Sequence, residues 1–527
     1  MSNTYAKTTT VLTVKDIFFK KSFRDIPETP NPRDLAVRSQ KEPSGITRFF
    51  FIPSRDEVPT RDALYSAIQV VGVKLPSEGN VEYTEGFYHL RNDAEDTFEK
   101  QPTRLFLRGF FIYGDKIEHY FFSRNGIVKS RPIEHTLNNN KSIMGSLRGM
   151  SDYQLGLNPF VHENANGSLK LDMGNGKVFD MDREPIYSPD EIVSERPICY
   201  RAVDAHGKEV VVKFALKLDV KEEVKILRRV TERNVWGVVR LIDSGFINTH
   251  QQSMCVVVIT PFGRPLVEYQ SITGLLEAFR DAVRAHRSLY FEAGILHRDV
   301  HPGNIIIPSP KSDATRSGDL PGKDVGQPRG VLIDLDCGQD LEIEVEEVDS
   351  RVGTLMYMAI DLHRDITEQW IRHTYRHDLE SFFYSFLAIA ICENGMPPPK
   401  GSRLERWVFT KSHDETAEAK WTDMEDFECF YELLQEFKPE FRCLIPLAFR
   451  LRHVLFFQDG DIKSFIVETK SGDEHAKNMY DNMIRCFDLA IKRQDELSRG
   501  MNTLTLEPQV KYKLWLDNHG PMNKRRI

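Results

Sequence analysis

The chain has no apolar run long enough to cross a bilayer. Its longest near-continuous one, "FFYSFLAIAIC" at Phe382–Cys392, falls short of the roughly 20 residues a spanning helix needs and predicts a buried helix, with no membrane partner. The opening residues, MSNTYAKTTTVLTVKDIFFKK, carry no apolar core of secretory type. Cysteine is scarce and unpatterned: seven residues, an odd number, without a CxxC. That argues against a disulfide framework and predicts reduced, mostly buried thiols in an intracellular protein. A basic excess is missing as well. The net charge of −8 argues against nucleic acid as a partner. No internal repeat is present.

What remains is ordinary globular composition, 40% hydrophobic and 28% charged over 527 residues, enough for two or three domains. Residues 1–60 are polar and proline-rich ("RDIPETPNPRD", "QKEPSG") and predict a partly ordered N-terminal segment. An α+β region is expected over 61–183. Within it, "RDALYSAIQVV" has helical spacing, and residues 103–128 alternate as strands joined by turns at "YGDK" and "RNG". "NNNKSIMGSLRGMSDYQLGLN" predicts a helix with a polar entry. "MDREPIYSPDEIV" marks a linker, and a second domain is expected over 184–497. Its elements are a hairpin turning at "DAHGK", the helix "VKEEVKILRRVTE" with Val220, Val224, Leu227 and Val230 on one face, and the buried strand "SMCVVVITPFG". A long helix closed by Gly294 follows, then a loop insertion at 308–330, the short strand "VLIDLDCG" and a largely helical remainder. Residues 498–527, ending in "NKRRI", read as a solvated basic tail.

The chemistry concentrates in "GILHRDVHPGNIII", residues 294–307. Asp299 and Asn304 stand five apart between two apolar runs, and a further apolar strand ends in Asp334. A lone D-x4-N is weak. An apolar-flanked HRD-x4-N followed by such a strand is specific. Before it come a strand carrying Lys213, a helix carrying Glu223, and a strand ending at Ile259–Gly263. That is the order of parts in a protein kinase. The stretches "VVVITPFGRPL", "FRDAVRAHRSLYFEAGILHRDVHPGNIII", "VLIDLD" and "YRHDLESFFY" closely resemble the fungal-type protein kinase family across 185–395, and residues 103–160 resemble it more weakly.

The resemblance implies an α+β fold: a bilobal kinase-like domain, with a small β-rich lobe, a larger helical lobe and a hinge near residue 260, behind an α+β accessory domain. It implies ATP and Mg²⁺ as cofactors and a protein serine or threonine as acceptor. Phosphoryl transfer asks a protein mainly for positioning and charge neutralisation. Asp299 would be the base toward the attacking hydroxyl. Asn304 and Asp334 would bring hard oxygens to the metal. Lys213 would hold phosphate oxygens, paired by Glu223; the adjacent Glu222 competes for that role, and the apolar phase of the helix favours Glu223. The backbone of Ile259, Thr260, Pro261, Phe262 and Gly263 would receive adenine. His297 would pack the loop, and Arg298 would neutralise a phosphate on the activation segment. Thr354, in "SRVGTLMYMAIDL", stands where serine/threonine kinases place a threonine beside the catalytic aspartate. Asp378 resembles the buried helix aspartate that binds the catalytic-loop backbone.

Three departures qualify the resemblance. "EIVSERPICYRAV", where a glycine-rich loop would cover the phosphates, has no glycine before its strand or within it. Asp334-Leu335-Asp336 replaces the usual Asp-Phe-Gly. His301 replaces a lysine, and H-x-D-x-H-P-G-N is the form found in aminoglycoside and choline kinases. His301 either meets the transferred phosphoryl group or packs the loop. A small-molecule kinase and a pseudokinase scaffold are therefore the alternatives. The segment "GTLMYMAIDL" with "YRHDLESFFY" favours a protein acceptor, and the four retained polar residues favour activity. The acidic run "GQDLEIEVEEVDS" reads as a solvated charge run, or as a segment favouring basic substrates or mimicking phosphorylation. Glu99 and Lys100 could be a relic of a nuclease pair, although a plain surface pair is the simpler reading.

Overall fold

The computed structural model describes residues 9–12, 35–53, 60–76, 82–136, 146–147, 149–164, 168–189, 193–194, 196–215, 220–248, 253–312, 326–343, 352–364, 372–457 and 472–499. The chain is mixed α+β and forms two compact units, one of residues 1–207, 211–220 and 243–258 and one of 208–210, 221–242 and 259–527.

The first unit holds two sheets. One contains β1 (Thr9–Leu12), β2 (Leu35–Lys41), β3 (Thr47–Pro53), β4 (Val70–Lys74), β5 (Phe106–Tyr113), β6 (Lys116–Ser123), β7 (Gly126–Ser130) and β8 (Ile133–Glu134). Its order is β1-β7-β6-β5-β4-β3-β2, with β8 on β6. The alternation of strands sends Phe50, Ile52, Val71, Val73, Leu107 and Phe111 to one face and Phe51, Val70, Phe110 and Ile112 to the other. Helix α2 (Tyr83–Lys100), following the short α1 (Arg61–Ala67), covers the first face through Leu90, Ala94 and Phe98. Leu147 and Leu155 cover the second. With both faces buried, β5 is apolar nearly throughout.

Several expectations change here. The folded region begins before residue 61, because "RFFFIP" in β3 carries core aromatics that the polar average of 1–60 conceals. The helix expected over "RDALYSAIQVV" stops at Ala67. Its β-branched end pairs instead with β3 and β5. The helix expected after residue 137 reduces, in its described part, to helical residues 146–147 and a one-turn helix at Tyr153–Leu155.

The second sheet orders β14-β15-β13-β12-β11-β10-β9, with β9 Val161–Glu163, β10 Leu169–Asp172, β11 Val178–Met181, β12 Ile198–Val203, β13 Glu209–Ala215, β14 Arg240–Asn248 and β15 Ser253–Thr260. The hairpin at "DAHGK" is β12–β13. The pairs Asp180↔Val203 and Met181↔Ala202 join β11 to β12. The boundary expected at 183/184 therefore falls between two paired strands of one sheet, and the stretch expected as a linker starts at the end of β11, its residues 190–192 lying outside the described residues.

The second unit is largely helical. Helix α3 (Val220–Glu232) buries Val224, Leu227 and Val230. Helix α4 (Ile272–Ala293) is capped by Ser271 and closed by Gly294 in the left-handed region, φ 66°. Later come α5 (Ile360–His363), α6 (Tyr375–Ile391), α7 (His413–Glu425), α8 (Phe427–Gln435), α9 (Ile445–Phe456) and α10 (Asp473–Ser498). Helix α6, which contains nearly all of the run expected to be buried, is buried along almost its whole length and sits in the core. No described helix is long and apolar enough to cross a membrane. Three short strand pairings complete the unit: β16 (Gly263–Pro265) with β18 (Ile305–Pro308), β18 with β19 (Val331–Leu332), and β17 (Ile295–Leu296) with β20 (Gln339–Asp340). All seven cysteines are free thiols; Cys255, Cys392 and Cys486 are buried and the other four are half-buried. Most of the insertion and of the C-terminal tail, and part of the acidic run, lie outside the described residues.

In the first unit Arg104 is buried and serves as a junction. Its guanidinium donates to the carbonyls of Ile68, Gln69, Phe106 and Leu155 and to Gln101 Oε1. Arg104→Met strands these acceptors, so the unfolding free energy should fall by about 3 kcal/mol. Urea titration checks this, and a loss below about 1 kcal/mol would mean the carbonyls find other donors.

Candidate active site

Two loops are pinned side by side by the short strands. The loop 297–304 runs between β17 and β18, and the loop 333–338 runs between β19 and β20. Because β18 pairs with β19 and β17 with β20, each loop is fastened to the other at both ends. A further bond, Ile333 N to the Asn304 carbonyl at 3.0 Å, sets Asp334 next to Asn304. Helix α3 joins the same frame. Val239 N donates to the Leu332 carbonyl at 2.8 Å, Arg229 pairs with Asp340 at 2.6 Å, and Arg233 pairs with Glu342 at 2.9 Å.

The first loop is organised by Asp378 near the start of α6. Its Oδ2 accepts from His286 Nε2 at 2.7 Å and from the His297 amide at 3.1 Å. Its Oδ1 accepts from His373 Nε2 at 2.8 Å and from the Arg298 amide at 3.1 Å. Burial by itself raises the Asp378 carboxyl, but the His373 and His286 imidazoles reverse the balance and hold it well below the ordinary range. A carboxylate only accepts, so both imidazoles present Nε2–H. His286 Nδ1 and the Tyr480 hydroxyl are hydrogen-bonded at 2.7 Å.

His297 is buried, and burial lowers its pKa. Its Nε2 donates to the Ile333 carbonyl at 3.0 Å and its Nδ1 faces the Asp299 amide at 3.3 Å. Arg298 turns the chain at φ 67°, and Asp334 does so at φ 62°. These left-handed positions are uncommon for residues with a Cβ.

Asp299 points its Oδ1 at Thr354, whose N–H and O–H donate at 2.8 and 2.9 Å. Gly353 makes that approach possible. A Cβ there would lie 2.7 Å from the Arg298 carbonyl, and its φ is +122°. His301 Nε2 stands 3.6 Å from Asp299 Oδ2, longer than a hydrogen bond. Burial by itself raises the Asp299 carboxyl, and the nearby His301 imidazole and the Thr354 hydrogen bonds reverse it to below the ordinary range. His301 also caps the one-turn helix Pro302–Asn304, its Nδ1 accepting from the Gly303 amide at 3.0 Å. Its ring stacks on Tyr357 with centroids 5.8 Å apart. It therefore packs the loop with one edge and faces Asp299 with the other.

Asn304 donates Nδ2–H to the Asp299 carbonyl at 2.9 Å, which turns its Oδ1 away as an acceptor. Asp334 follows Ile333 on the neighbouring loop, and its carboxylate and the Asn304 Oδ1 are both hard oxygens of the kind Mg²⁺ takes. Among the described residues no group of three or more His, Cys, Asp or Glu gathers as a metal cluster.

Other expected residues lie on other elements. Lys213 is buried on β13 of the first unit. On α3, Glu223 is buried, while Glu222 is exposed and pairs with Lys225. Glu99 and Lys100 form an exposed pair at the end of α2. The hinge contains a feature the sequence concealed. The Phe262 amide donates to Ser312 Oγ at 2.7 Å, and the Phe262 carbonyl accepts from the Ser309 amide at 2.9 Å. Ser312 Oγ also donates to the Glu209 carbonyl at 2.9 Å. Both backbone groups of Phe262, expected to meet adenine, are thus engaged by the first residues of the insertion.

Asp378→Asn puts an amide where four donors converge and should cost about 3 kcal/mol at neutral pH. The folded carboxyl has a depressed pKa. Its contribution is therefore full above the unfolded value of about 4 and fades as pH falls toward the folded value. The gap between wild type and variant in urea titrations should be constant from pH 6 to 8 and narrow below pH 4; a gap that widens in acid would contradict the assignment.

The sequence pattern of the fungal protein kinase family matches residues 49–255 and, overlapping, 248–390. No curated protein matches the chain. The match takes in β13, α3, the hinge, the 297–304 and 333–338 loops, Thr354 and Asp378, and it covers more than half of the molecule: the chain belongs to the fungal protein kinase family.

Proposed function

We propose that the protein transfers the γ-phosphoryl group of ATP to a serine or threonine hydroxyl of a protein, within a bilobal kinase-like domain preceded by an accessory region. The observation that carries this reading is Thr354, whose N–H and O–H both reach Asp299 Oδ1. The segment that would receive a peptide is thereby seated on the residue that would act as base. Small-molecule kinases with the H-x-D-x-H-P-G-N form lack that segment.

The remaining roles follow from chemistry. Thr354 occupies Oδ1 and leaves Oδ2 to accept the acceptor's hydroxyl proton. The depressed pKa of Asp299 keeps it ionised at neutral pH. Asn304 and Asp334 would hold Mg²⁺, which neutralises phosphate charge when bound. Lys213 and Glu223 would orient phosphates. His301 Nε2–H faces the region of Asp299 Oδ2 and can donate to a phosphoryl oxygen where other kinases use lysine. Arg298 would meet an anionic group on the activation segment. Adenine would contact the backbone of Ile259–Gly263, with Phe262 available once Ser309 and Ser312 yield.

A pseudokinase is the second reading, favoured by the engaged Phe262 backbone and by the glycine-free connection at 182–197. Nucleotide titration with and without Mg²⁺, paired with transfer assays, separates the two. Wild type should bind ATP in a Mg²⁺-dependent way and label a protein acceptor. Asp299→Asn should bind ATP within about twofold of wild type and lose transfer by at least about a hundredfold. Wild-type turnover in the variant would remove Asp299 as base, Mg²⁺-independent or absent binding would favour the pseudokinase, and labelling of choline alone would favour a small-molecule kinase.

A further inference from the structure

Helix α7 buries a polar face. Thr416, Ala417, Lys420, Asp423 and Met424 are its buried residues. A lysine with no solvent exposure requires compensation, since an uncompensated buried cation is strongly unfavourable. Lys420 Nζ donates to the Met358 carbonyl at 2.6 Å and the Leu355 carbonyl at 3.3 Å, and lies 3.3 Å from His363 Nε2. The Tyr384 and Trp407 rings stand 4.6 and 5.5 Å away, close enough for cation–π attraction. Asp423, one turn further on, accepts from Trp407 Nε1 at 2.9 Å and fixes that ring.

On the same stretch of chain, the buried Glu380 of α6 accepts the Ile360 amide at 2.8 Å and the Tyr384 hydroxyl at 2.7 Å. Residues 354–360 are therefore held by their backbone from two sides, carbonyls by an ammonium and an amide by a carboxylate. At the start of the stretch Thr354 holds Asp299, and in its middle Tyr357 stacks on His301. A turn links these points, with Tyr357 and Met358 amides on the Thr354 carbonyl at 2.9 and 3.1 Å. In this chain Asp361 stands where the kinase segment usually ends in glutamate, and its charge contact is Arg364 at 3.5 Å.

We propose that Lys420 is a positioning residue: with Glu380 it clamps residues 354–360 so that Thr354 and Tyr357 meet Asp299 and His301 and the protein acceptor finds a formed seat. The role in acceptor binding rests on the kinase reading; the clamp itself does not. Burial draws the Lys420 pKa down to about 7, with Glu380 opposing; the two carbonyl bonds need only N–H donors, which the amine has in either protonation state.

Two variants test this. Lys420→Met keeps the length and removes donors and charge; Lys420→Gln keeps two N–H donors. Hydrogen exchange of the full chain should show Lys420→Met opening residues 354–360 about tenfold faster while α4 and α6 stay unchanged, with Lys420→Gln in between. In transfer assays, Lys420→Met should raise KM for the protein acceptor at least about fivefold and leave ATP affinity within about twofold. Unchanged exchange over 354–360, acceleration spread evenly through the second unit, or failure of both variants to fold would overturn the clamp. Should wild type transfer no phosphate, the kinase reading and the acceptor role fall, and the exchange result still decides whether the clamp exists.

Discussion

A buried carboxylate, Asp378, is the interaction on which the candidate site depends. It lies on the buried helix α6, where an unpaired charge would cost several kcal/mol, and it is held by two imidazoles and two backbone amides. Those amides belong to His297 and Arg298. The loop can therefore leave β17, adopt a left-handed turn at Arg298 and still have its donors satisfied. Strain at that turn is supported by a charge that has nowhere else to bond.

From this point the rest of the site follows by short links. His297 passes the constraint to the Ile333 carbonyl, and so to the loop bearing Asp334. Asn304 returns to the Asp299 carbonyl, which fixes the spacing of the two polar side chains and explains why five residues separate them. His301 has two edges with two uses, a cap on Gly303 and a donor face toward Asp299. Residues 354–360 are fastened last, by Thr354 at the Asp299 carboxylate and by Lys420 and Glu380.

Much of this was legible where chemistry is local. Asp299, Asn304 and the apolar runs beside them share one turn of chain, and α3 shows its buried face in a 3.6-residue period. Other parts were hidden for definite reasons. His286 lies 92 residues from Asp378, a pairing made by packing of α4 on α6 and not by any spacing. Lys420 and Asp423 give α7 a buried face that reads as solvated. The proline-rich stretch at 182–197 punctuates the sequence as a linker does, yet it joins adjacent strands. The polar average of 1–60 masked the aromatic β3. Nothing in the hinge sequence reveals that Ser312 folds back on Phe262.

The central claim is that a buried carboxylate preassembles the 297–304 loop in the absence of ligand. Hydrogen exchange of the His297 and Arg298 amides in the wild-type, ligand-free protein tests it most directly. Both amides should exchange only as slowly as the core of α6, through opening of the second unit as a whole. Exchange at the rate of an exposed loop would show that Asp378 does not hold them, and the site as described would not exist before ligand binds.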